Sequence, residues 1–246
     1  MNKCFIFAHY DSNNLIKQYI IDEINLLNKL GDVLFISDCE YITNIHELPH
    51  VKYLQIARHS LYDAHSYMCG FNYLRHAKLL DNYDSITFVN SSILFPKCDE
   101  KLFVDTLCEF DECKEQVYGM CKSVYMLQSY WITCKNKTYP FVEKFFNDYI
   151  PATIENVRHW YDTTEDKKLI DKYNRWYVNR VKEVGEEIAM KWIYTVVHFE
   201  EGFSKYLYNS GFDLVALDYC CWPKSRFITK YPRESSSNTQ VQKELV

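Results

Sequence analysis

The stretch YDSITFVNSSILFP, residues 83–96, decides the fold class, because a short apolar run in it stops abruptly in three small polar residues. A strand buried in a parallel sheet has a nearly continuous apolar sequence, and ligands of open α/β sheets bind just beyond the carboxyl ends of such strands. The pattern therefore predicts a buried strand over residues 85–89 that delivers Asn90, Ser91 and Ser92 to a ligand site. The alternative is a strand that ends in an ordinary polar turn.

The same pattern occurs twice nearer the start of the chain. Residues 4–8 and residues 33–36 are both apolar and both lead into polar segments. Between them, apolar residues at helical spacing predict a helix over residues 16–30, which Gly31 is expected to close in the left-handed conformation. A strand, a helix and a second strand in this order form a βαβ unit and predict a parallel sheet.

The rest of the chain continues this alternation and predicts an α/β fold with a helical segment in its C-terminal half. Further strands are predicted over residues 51–57, 117–118, 125–133 and 212–217, and helices over residues 65–80, 99–110, 140–184 and 200–209. The length suits one domain over residues 1–233 with a helical insertion at about 140–187. The polar residues 234–246 are predicted to be a disordered tail.

Composition narrows the function classes. The formal net charge of −5 argues against a nucleic-acid-binding protein, since such affinity depends on clustered Lys and Arg. The 10 cysteines include no Cys-x-x-Cys pair, which argues against structural zinc and favours buried thiols in a reducing compartment. No apolar stretch approaches the roughly 18 residues of a membrane span, and the apolar start is short for a signal peptide. We therefore expect a cytoplasmic protein, either free or peripheral to a membrane.

Three of the predicted strand ends carry polar groups that suit a nucleotide-sugar site. Carboxylates and amides can bind ribose hydroxyls or a base edge, and Arg can neutralise phosphate. The candidate donor-binding residues are His9, Tyr10, Asp11, Arg58, Asn90, Ser91 and Ser92, with Asp63 on the segment that follows Arg58. The alternatives are a structural role for His9, a surface ion pair for Arg58 and a helix N-cap for Asp63.

Several short motifs, taken in order, resemble the rhamnan synthesis protein F family of bacterial and viral polysaccharide glycosyltransferases. They are Ala8-His9-Tyr10-Asp11, the Arg58…Tyr62-Asp63…Tyr67…Gly70 segment, Tyr83-Asp84…Asn90-Ser91-Ser92…Pro96, Gly119, Leu127-Gln128-Ser129-Tyr130, and Phe199-Glu200-Glu201-Gly202-Phe203-Ser204 with Gly211-Phe212. The resemblance covers about residues 4–217. It implies a GT-A-like (Rossmann-type) nucleotide-sugar-binding sandwich. The implied activity is transfer of a sugar, rhamnose or another hexose, from a nucleotide diphosphate donor to a glycan or lipid-linked acceptor.

The chain departs from the family pattern at Ser91, where Asn-Asp-Ser would place an Asp. GT-A enzymes commonly bind Mg²⁺ or Mn²⁺ through Asp-x-Asp, and this chain has no such motif; the nearest spacing is Asp38-Cys39-Glu40. Mg²⁺ or Mn²⁺ therefore stays a candidate cofactor, with Asp63 or His198 as possible ligands. One alternative is a transferase without a metal ion, in which Arg58, Lys side chains and backbone N–H groups stabilise the charge of the leaving group. The other is a non-catalytic carbohydrate-binding or scaffolding protein.

The resemblance also suggests a base and an acceptor site. Glu200 is the candidate general base, since it is expected after an apolar strand that would raise its pKa by burial, although capping of the following helix is an alternative role. Glu186, Glu187, Glu201 and His198 are alternative candidates for the base. Gln128, Ser129 and Trp131 are the candidate acceptor-binding residues, against hydrogen bonding to backbone and core packing as alternatives. A Rossmann oxidoreductase is disfavoured, because no Gly-rich turn follows the first strand.

Overall fold

The computed structural model describes residues 1–122, 126–164, 177–218, 227 and 229–230. Over these residues the chain forms a mixed α/β fold whose centre is a seven-stranded, mostly parallel sheet. Its strands are β1 Lys3–His9, β2 Asp32–Ser37, β3 Tyr53–Ile56, β4 Ser85–Asn90, β6 Val117–Cys121, β7 Trp131–Lys135 and β8 Leu214–Asp218. The short strands β5 Ile93–Leu94 and β9 Thr229–Lys230 form a separate antiparallel pair.

The strand order in the large sheet is β3-β2-β1-β4-β7-β6-β8. β7 is antiparallel to both of its neighbours, whereas the other neighbouring pairs are parallel. The register pairs His9 with Ser37 and Ala8 with Asn90. The carboxyl ends of β1, β2 and β4 therefore lie level at one edge, as the strand pattern of the sequence predicts.

Helices cover the sheet and form most of the described chain between β7 and β8. They are α1 Gln18–Asn28, α2 Tyr62–His76, α3 Glu100–Glu112, α4 Tyr139–Asp148, α5 Ile154–Thr163, α6 Glu186–Thr195 and α7 Gly202–Asn209, and residues 177–184 are also helical. A π-helix, Val196–Glu201, joins α6 to α7. Among the described residues, no helix combines the length and the apolar character needed to cross a membrane.

Side chains that alternate along β1 divide the core into two layers. Cys4, Ile6 and Ala8 belong to the cluster that contains α2, and Phe5 and Phe7 belong to the cluster that contains α1. All five side chains are at most 1% exposed. This two-sided burial explains why the strand is apolar throughout instead of alternating with polar residues.

Two glycines allow close approaches between helices and the sheet. A Cβ on Gly70 of α2 would lie 2.5 Å from Ile6 Cγ2 and 2.7 Å from Ile36 Cδ1. A Cβ on Gly31 would lie 2.6 Å from the carbonyl oxygen of Lys3. The expected left-handed conformation at Gly31 is wrong, because the glycines with positive φ among the described residues are Gly185 and Gly211. Position 31 requires a glycine because a Cβ there would contact the backbone of β1, and not because the residue has a positive φ.

Most predicted elements are confirmed to within a few residues, and three are not. The helical pattern predicted over residues 140–184 is not one helix, because α4 ends at Asp148, α5 spans Ile154–Thr163 and residues 177–184 are again helical; residues 165–176 lie outside the described part. The strand predicted over residues 125–133 begins at Trp131, and residues 123–125 lie outside the described part. The apolar strand expected before Glu200 is wrong, since that segment is α6 followed by the π-helix. The predicted tail, 234–246, lies outside the described residues, so the single domain over residues 1–233 stays a prediction.

Candidate functional site

Polar side chains gather where β1, β2 and β4 end beneath the first turn of α2. We call Asp38, His59, Asp63, Tyr67 and Asn90 the edge cluster. Asp38 follows β2, Asn90 ends β4, and Asp63 and Tyr67 lie on successive turns of α2. Parallel strands with level carboxyl ends bring these positions together at the place where open α/β sheets bind ligands.

Asn90 connects the strand edge to α2. Its Nδ2 donates to Asp63 Oδ2 at 2.5 Å, and its Oδ1 accepts from the backbone N (3.1 Å) and the Oγ (2.5 Å) of Ser92. Burial raises the pKa of Asp63 to about 6; the hydrogen bond from Asn90 opposes this rise, and the negative charge of Asp38 adds to it. Asp63 therefore titrates close to neutral pH, which is typical of carboxyl groups at functional sites.

Asp38 holds the loop that leads into α2. Its Oδ1 accepts from the backbone N of His59 (2.6 Å) and of Ser60 (2.8 Å). Ser60 and Tyr62 both have positive φ, 56° and 64°, a conformation that non-glycine residues adopt at a cost of about 1–3 kcal/mol. Asp38 is not among the residues predicted for the site, although its position directly after a buried strand is a signal for it.

His59 lies between a carboxylate and a hydroxyl in an arrangement that superficially suits nucleophilic catalysis. Its Nδ1 is 3.5 Å from Asp38 Oδ2 and its Nε2 is 2.9 Å from Ser66 Oγ. However, the backbone N–H of Leu61 donates to Nδ1 (3.1 Å), so neutral His59 carries its proton on Nε2 and donates it to Ser66. A serine nucleophile needs Nε2 as an acceptor, and burial lowers the pKa of His59 to about 4. The arrangement is therefore structural.

Tyr67 links the edge cluster to the predicted base and to the predicted acceptor segment. Its hydroxyl donates to the backbone oxygen of Ser129 at 3.2 Å. Burial raises the pKa of Tyr67, and the negative charges of Asp63 and Glu200 add to the effect. Glu200 therefore lies close enough to Tyr67 to act on it from the π-helix, an element that is frequent at functional sites. Asp63, Asn90 and Ser129 thus lie around Tyr67, and Glu200 acts on it electrostatically from the π-helix.

His9 does not join this group, and its predicted donor-binding role is wrong. Its side chain is 3% exposed, stacks on Phe35 with ring centroids 5.2 Å apart, and its Nδ1 lies 3.0 Å from Ser37 Oγ. Burial lowers the pKa of His9 to about 4, so the ring is neutral at physiological pH. His9 is a core histidine that belongs to the α1 layer.

Trp131 is also a core residue, which corrects its assignment to the acceptor site. Its side chain is 1% exposed and makes edge contacts with Phe5, Phe95 and Phe103 at centroid distances of 6.1, 5.0 and 5.9 Å. An indole enclosed in this way has no face for a sugar.

Tyr10 and Asp11, which were also predicted to bind the donor, lie in the loop between β1 and α1. Asp11 Oδ1 accepts from the backbone N of Asn13 (2.8 Å) and Leu15 (3.3 Å), so this carboxylate shapes the loop. Tyr10 is 57% exposed, and its backbone N donates to Ser91 Oγ at 3.4 Å. Tyr10 and Ser91 therefore stay close to each other at the sheet edge.

The side chains of Arg58 and Gln128 are at least partly accessible to a ligand. The guanidinium of Arg58 is exposed and lies 3.7 Å from Glu40 Oε2, as the surface-pair alternative predicts. Gln128 donates its backbone N to the carbonyl oxygen of Cys121 at 3.0 Å, and its side chain is half-buried. An exposed ion pair contributes at most about 1 kcal/mol, so Arg58 can leave Glu40 for an anionic ligand at little cost.

The described side chains do not fit a carboxylate metal site. Asp38 Oδ1 already accepts two backbone N–H groups, and Asp63 Oδ2 accepts from Asn90. His198 contacts the rings of Trp160 and Tyr194. Over the described part of the chain, no three His, Cys, Asp or Glu side chains are grouped as metal ligands. The carboxylates of Asp38 and Asp63 are thus engaged by protein donors and are not arranged as ligands of a metal ion.

Comparisons with known proteins add little. No protein-family model and no curated protein matches the chain. Among solved structures, the crystal structure of A197 from STIV matches 61% of this chain and 69% of its own length, with 13% sequence identity and a TM-score of 0.33. A likeness at this level supports no statement about the function of this chain.

Proposed function

We propose that this protein is a glycosyltransferase of GT-A-like fold that moves a sugar, rhamnose or another hexose, from a nucleotide diphosphate donor to a glycan or lipid-linked acceptor. The observation that carries the proposal is the Asp63–Asn90 pair at the carboxyl edge of the sheet, next to Tyr67, on which the charge of Glu200 also acts. A parallel sheet with one antiparallel strand, β7, is compatible with the proposed fold. The proposed setting is the cytoplasm, free or at a membrane surface, with no nucleic-acid partner.

Each group has a defined task in the proposed transfer. The acceptor hydroxyl attacks the anomeric carbon of the donor and passes its proton to Glu200, while the bond between that carbon and the phosphate oxygen breaks. The electron pair of the broken bond leaves with the nucleotide diphosphate. Arg58 is the cation available to the leaving diphosphate, and the Asp63–Asn90 pair positions the donor sugar.

Donor binding is the first test. The protein is incubated separately with UDP-, GDP- and dTDP-sugars, and thermal unfolding is followed. A bound donor at about 100 times its Kd adds about 2.7 kcal/mol to the free energy of unfolding, which shifts the melting temperature by several degrees. Asn90→Leu is expected to remove the shift. The absence of a shift with every nucleotide sugar would contradict the proposal.

The assignment of the base has a matched pair of variants on one π-helix. Glu200→Gln keeps the size and removes the proton acceptor, so transfer is expected to fall by about 10²–10⁴-fold while donor binding is unchanged. Glu201→Gln makes the same chemical change next to it and is expected to keep most of the activity. Equal losses in the two variants would show that Glu200 is not the base.

A specific observation also favours a second function, a non-catalytic carbohydrate-binding or scaffolding protein. Ser91 stands where the family resemblance places a metal-binding Asp, and Asp38 and Asp63 are held by protein donors. Transfer and donor hydrolysis, measured with and without Mn²⁺ in the wild type and in Ser91→Asp, separate the two functions. Nucleotide-sugar turnover by the wild type supports the transferase, and glycan binding without any turnover supports the alternative.

A further inference from the structure

We propose that a cavity between α4, α5 and α6 is a binding site for a neutral sugar ring, remote from the nucleotide. The cavity has a volume of about 340 Å³. This volume lies at the lower end of the range of small-molecule sites, about 300–1,000 Å³, and suits one or two sugar rings. Its role as an acceptor subsite rests on the proposed transferase function.

The walls of the cavity are mostly aromatic. Phe145 and Tyr149 come from α4 and its C-terminal end, Trp160 from α5, and Tyr194 from α6. Trp160 and Tyr194 meet edge to face, with ring centroids 5.6 Å apart. Phe145 and Trp160 are half-buried and can offer apolar ring surface to the C–H face of a pyranose ring, whereas Tyr149 and Tyr194 are buried and complete the wall.

One of the residues that line the cavity, His198, has a ring nitrogen with no described hydrogen-bond partner. Nε2 of His198 is buried, and no described residue hydrogen-bonds to it. The ring is held by Tyr194 at 4.2 Å and Trp160 at 5.3 Å between centroids. Burial lowers the pKa of His198, so the imidazole is predominantly neutral at physiological pH and can hydrogen-bond a hydroxyl group. Asn156 also lines the cavity; its Nδ2 donates to the carbonyl oxygen of Pro151 (3.0 Å), and its Oδ1 can accept from a second hydroxyl.

The charge of the lining selects a neutral ligand. No described residue that lines the cavity is Lys or Arg, and the one carboxylate, Asp148, lies 2.8 Å from Lys144. A phosphate or a nucleotide diphosphate would find no Lys or Arg among the described residues that line the cavity. Hydroxyl groups with an apolar ring face match the donors, acceptors and aromatic walls that are present.

One short element connects this cavity with the edge cluster. On the π-helix, His198 lines the cavity and Glu200 acts on Tyr67. Phe199 lies between them and contacts both Tyr149 (6.0 Å) and Tyr67 (5.8 Å). The cavity and the edge cluster therefore share one element of the chain, the π-helix.

Binding of simple glycosides tests the site without a donor nucleotide. Methyl α-rhamnoside and methyl α-glucoside are titrated into the full chain, with glucose 1-phosphate as the anionic comparison, and binding is followed by saturation-transfer NMR. We expect at least one methyl glycoside to bind and glucose 1-phosphate to bind more weakly. His198→Phe retains an aromatic ring but removes the hydrogen bond, and is expected to weaken binding about tenfold.

Two further variants complete the design. His46→Phe makes the same replacement at a side chain that is 78% exposed outside the cavity, and should bind as the wild type does. Thr163→Phe, from an exposed position at the cavity, should block binding by bulk if His198→Phe does not fold. Failure of both glycosides to bind, or unchanged binding in a folded cavity variant, would overturn the proposal.

The outcome is separable from that of the proposed function. Glycoside binding with no stabilisation by any nucleotide sugar would leave the sugar cavity in place and refute the transferase. Stabilisation by nucleotide sugars without glycoside binding would refute the cavity alone.

Discussion

Replacing Asp63 with Asn is expected to stabilise the protein at neutral pH and to leave its stability unchanged near pH 4. Burial at the sheet edge raises the pKa of this carboxyl group from 3.8 to about 6. The folded protein therefore holds the proton of Asp63 more tightly than the unfolded chain does. Its favourable contribution is complete below pH 3.8 and is lost as the pH rises through about 6.

The magnitude follows from the two pKa values. Each difference of one in pKa corresponds to 1.36 kcal/mol, so the ionised carboxylate costs the folded state about 3 kcal/mol above pH 6. Asn is uncharged at every pH and keeps a side-chain oxygen that can accept from Asn90 Nδ2. The gain in the free energy of unfolding should therefore grow from near zero at pH 4 to about 3 kcal/mol at pH 7.

Urea unfolding at several pH values between 4 and 8, followed by tryptophan fluorescence, measures this difference. Asp213→Asn is the matched control, because Asp213 is exposed and its replacement should change stability by less than about 0.5 kcal/mol at every pH. If Asp63→Asn differs from the wild type by the same amount at pH 4 and pH 7, or is less stable at pH 7, burial of an ionised Asp63 is not the cause.

Three further variants test the packing of the sheet. Gly70→Ala should lower the free energy of unfolding by about 1–2 kcal/mol. The cost of pressing the new Cβ against Ile6 and Ile36 is larger than the gain of about 1 kcal/mol in helix propensity. A more stable variant in urea unfolding would contradict this. Trp131→Ala should cost about 3–5 kcal/mol in the same assay, whereas a loss below about 1 kcal/mol would place the indole outside the core. Between pH 6.5 and pH 4 the wild type should lose about 3 kcal/mol in the free energy of unfolding, since only the unfolded chain protonates His9 in that range. His9→Phe should not show this loss, and an unchanged pH profile would count against a neutral, buried ring.

The strand ends show how far sequence reasoning reached. Residues 85–89 and 4–8 were correctly predicted as buried strands, and their carboxyl ends do meet at one edge. However, the register pairs Ala8, not His9, with Asn90. Because successive side chains of a strand point to opposite faces, His9 points into the α1 layer while Asn90 points to α2. The sequence contains no signal for this offset of one residue.

The segment before Glu200 shows a second limit. Val196, Val197 and Phe199 form a short apolar run, and such a run does not distinguish a strand from a buried helix. In the structure the run is a π-helix, which turns Phe199 into the core and places Glu200 within electrostatic reach of Tyr67. The role of Glu200 stays a proposal, and the element expected to carry it, a strand, is wrong.

By itself the sequence determined the mixed α/β class, the order of the main strands and helices, and the edge at which polar residues collect, because apolar runs, helical spacing and glycine positions are local properties of the chain. Only the tertiary structure decided which of those polar residues share a face. It buried His9 and Trp131, joined Asn90 to Asp63, added Asp38 and opened an aromatic cavity beside His198. These outcomes depend on strand register and on packing between distant segments, since one residue of offset turns a side chain from the site into the core.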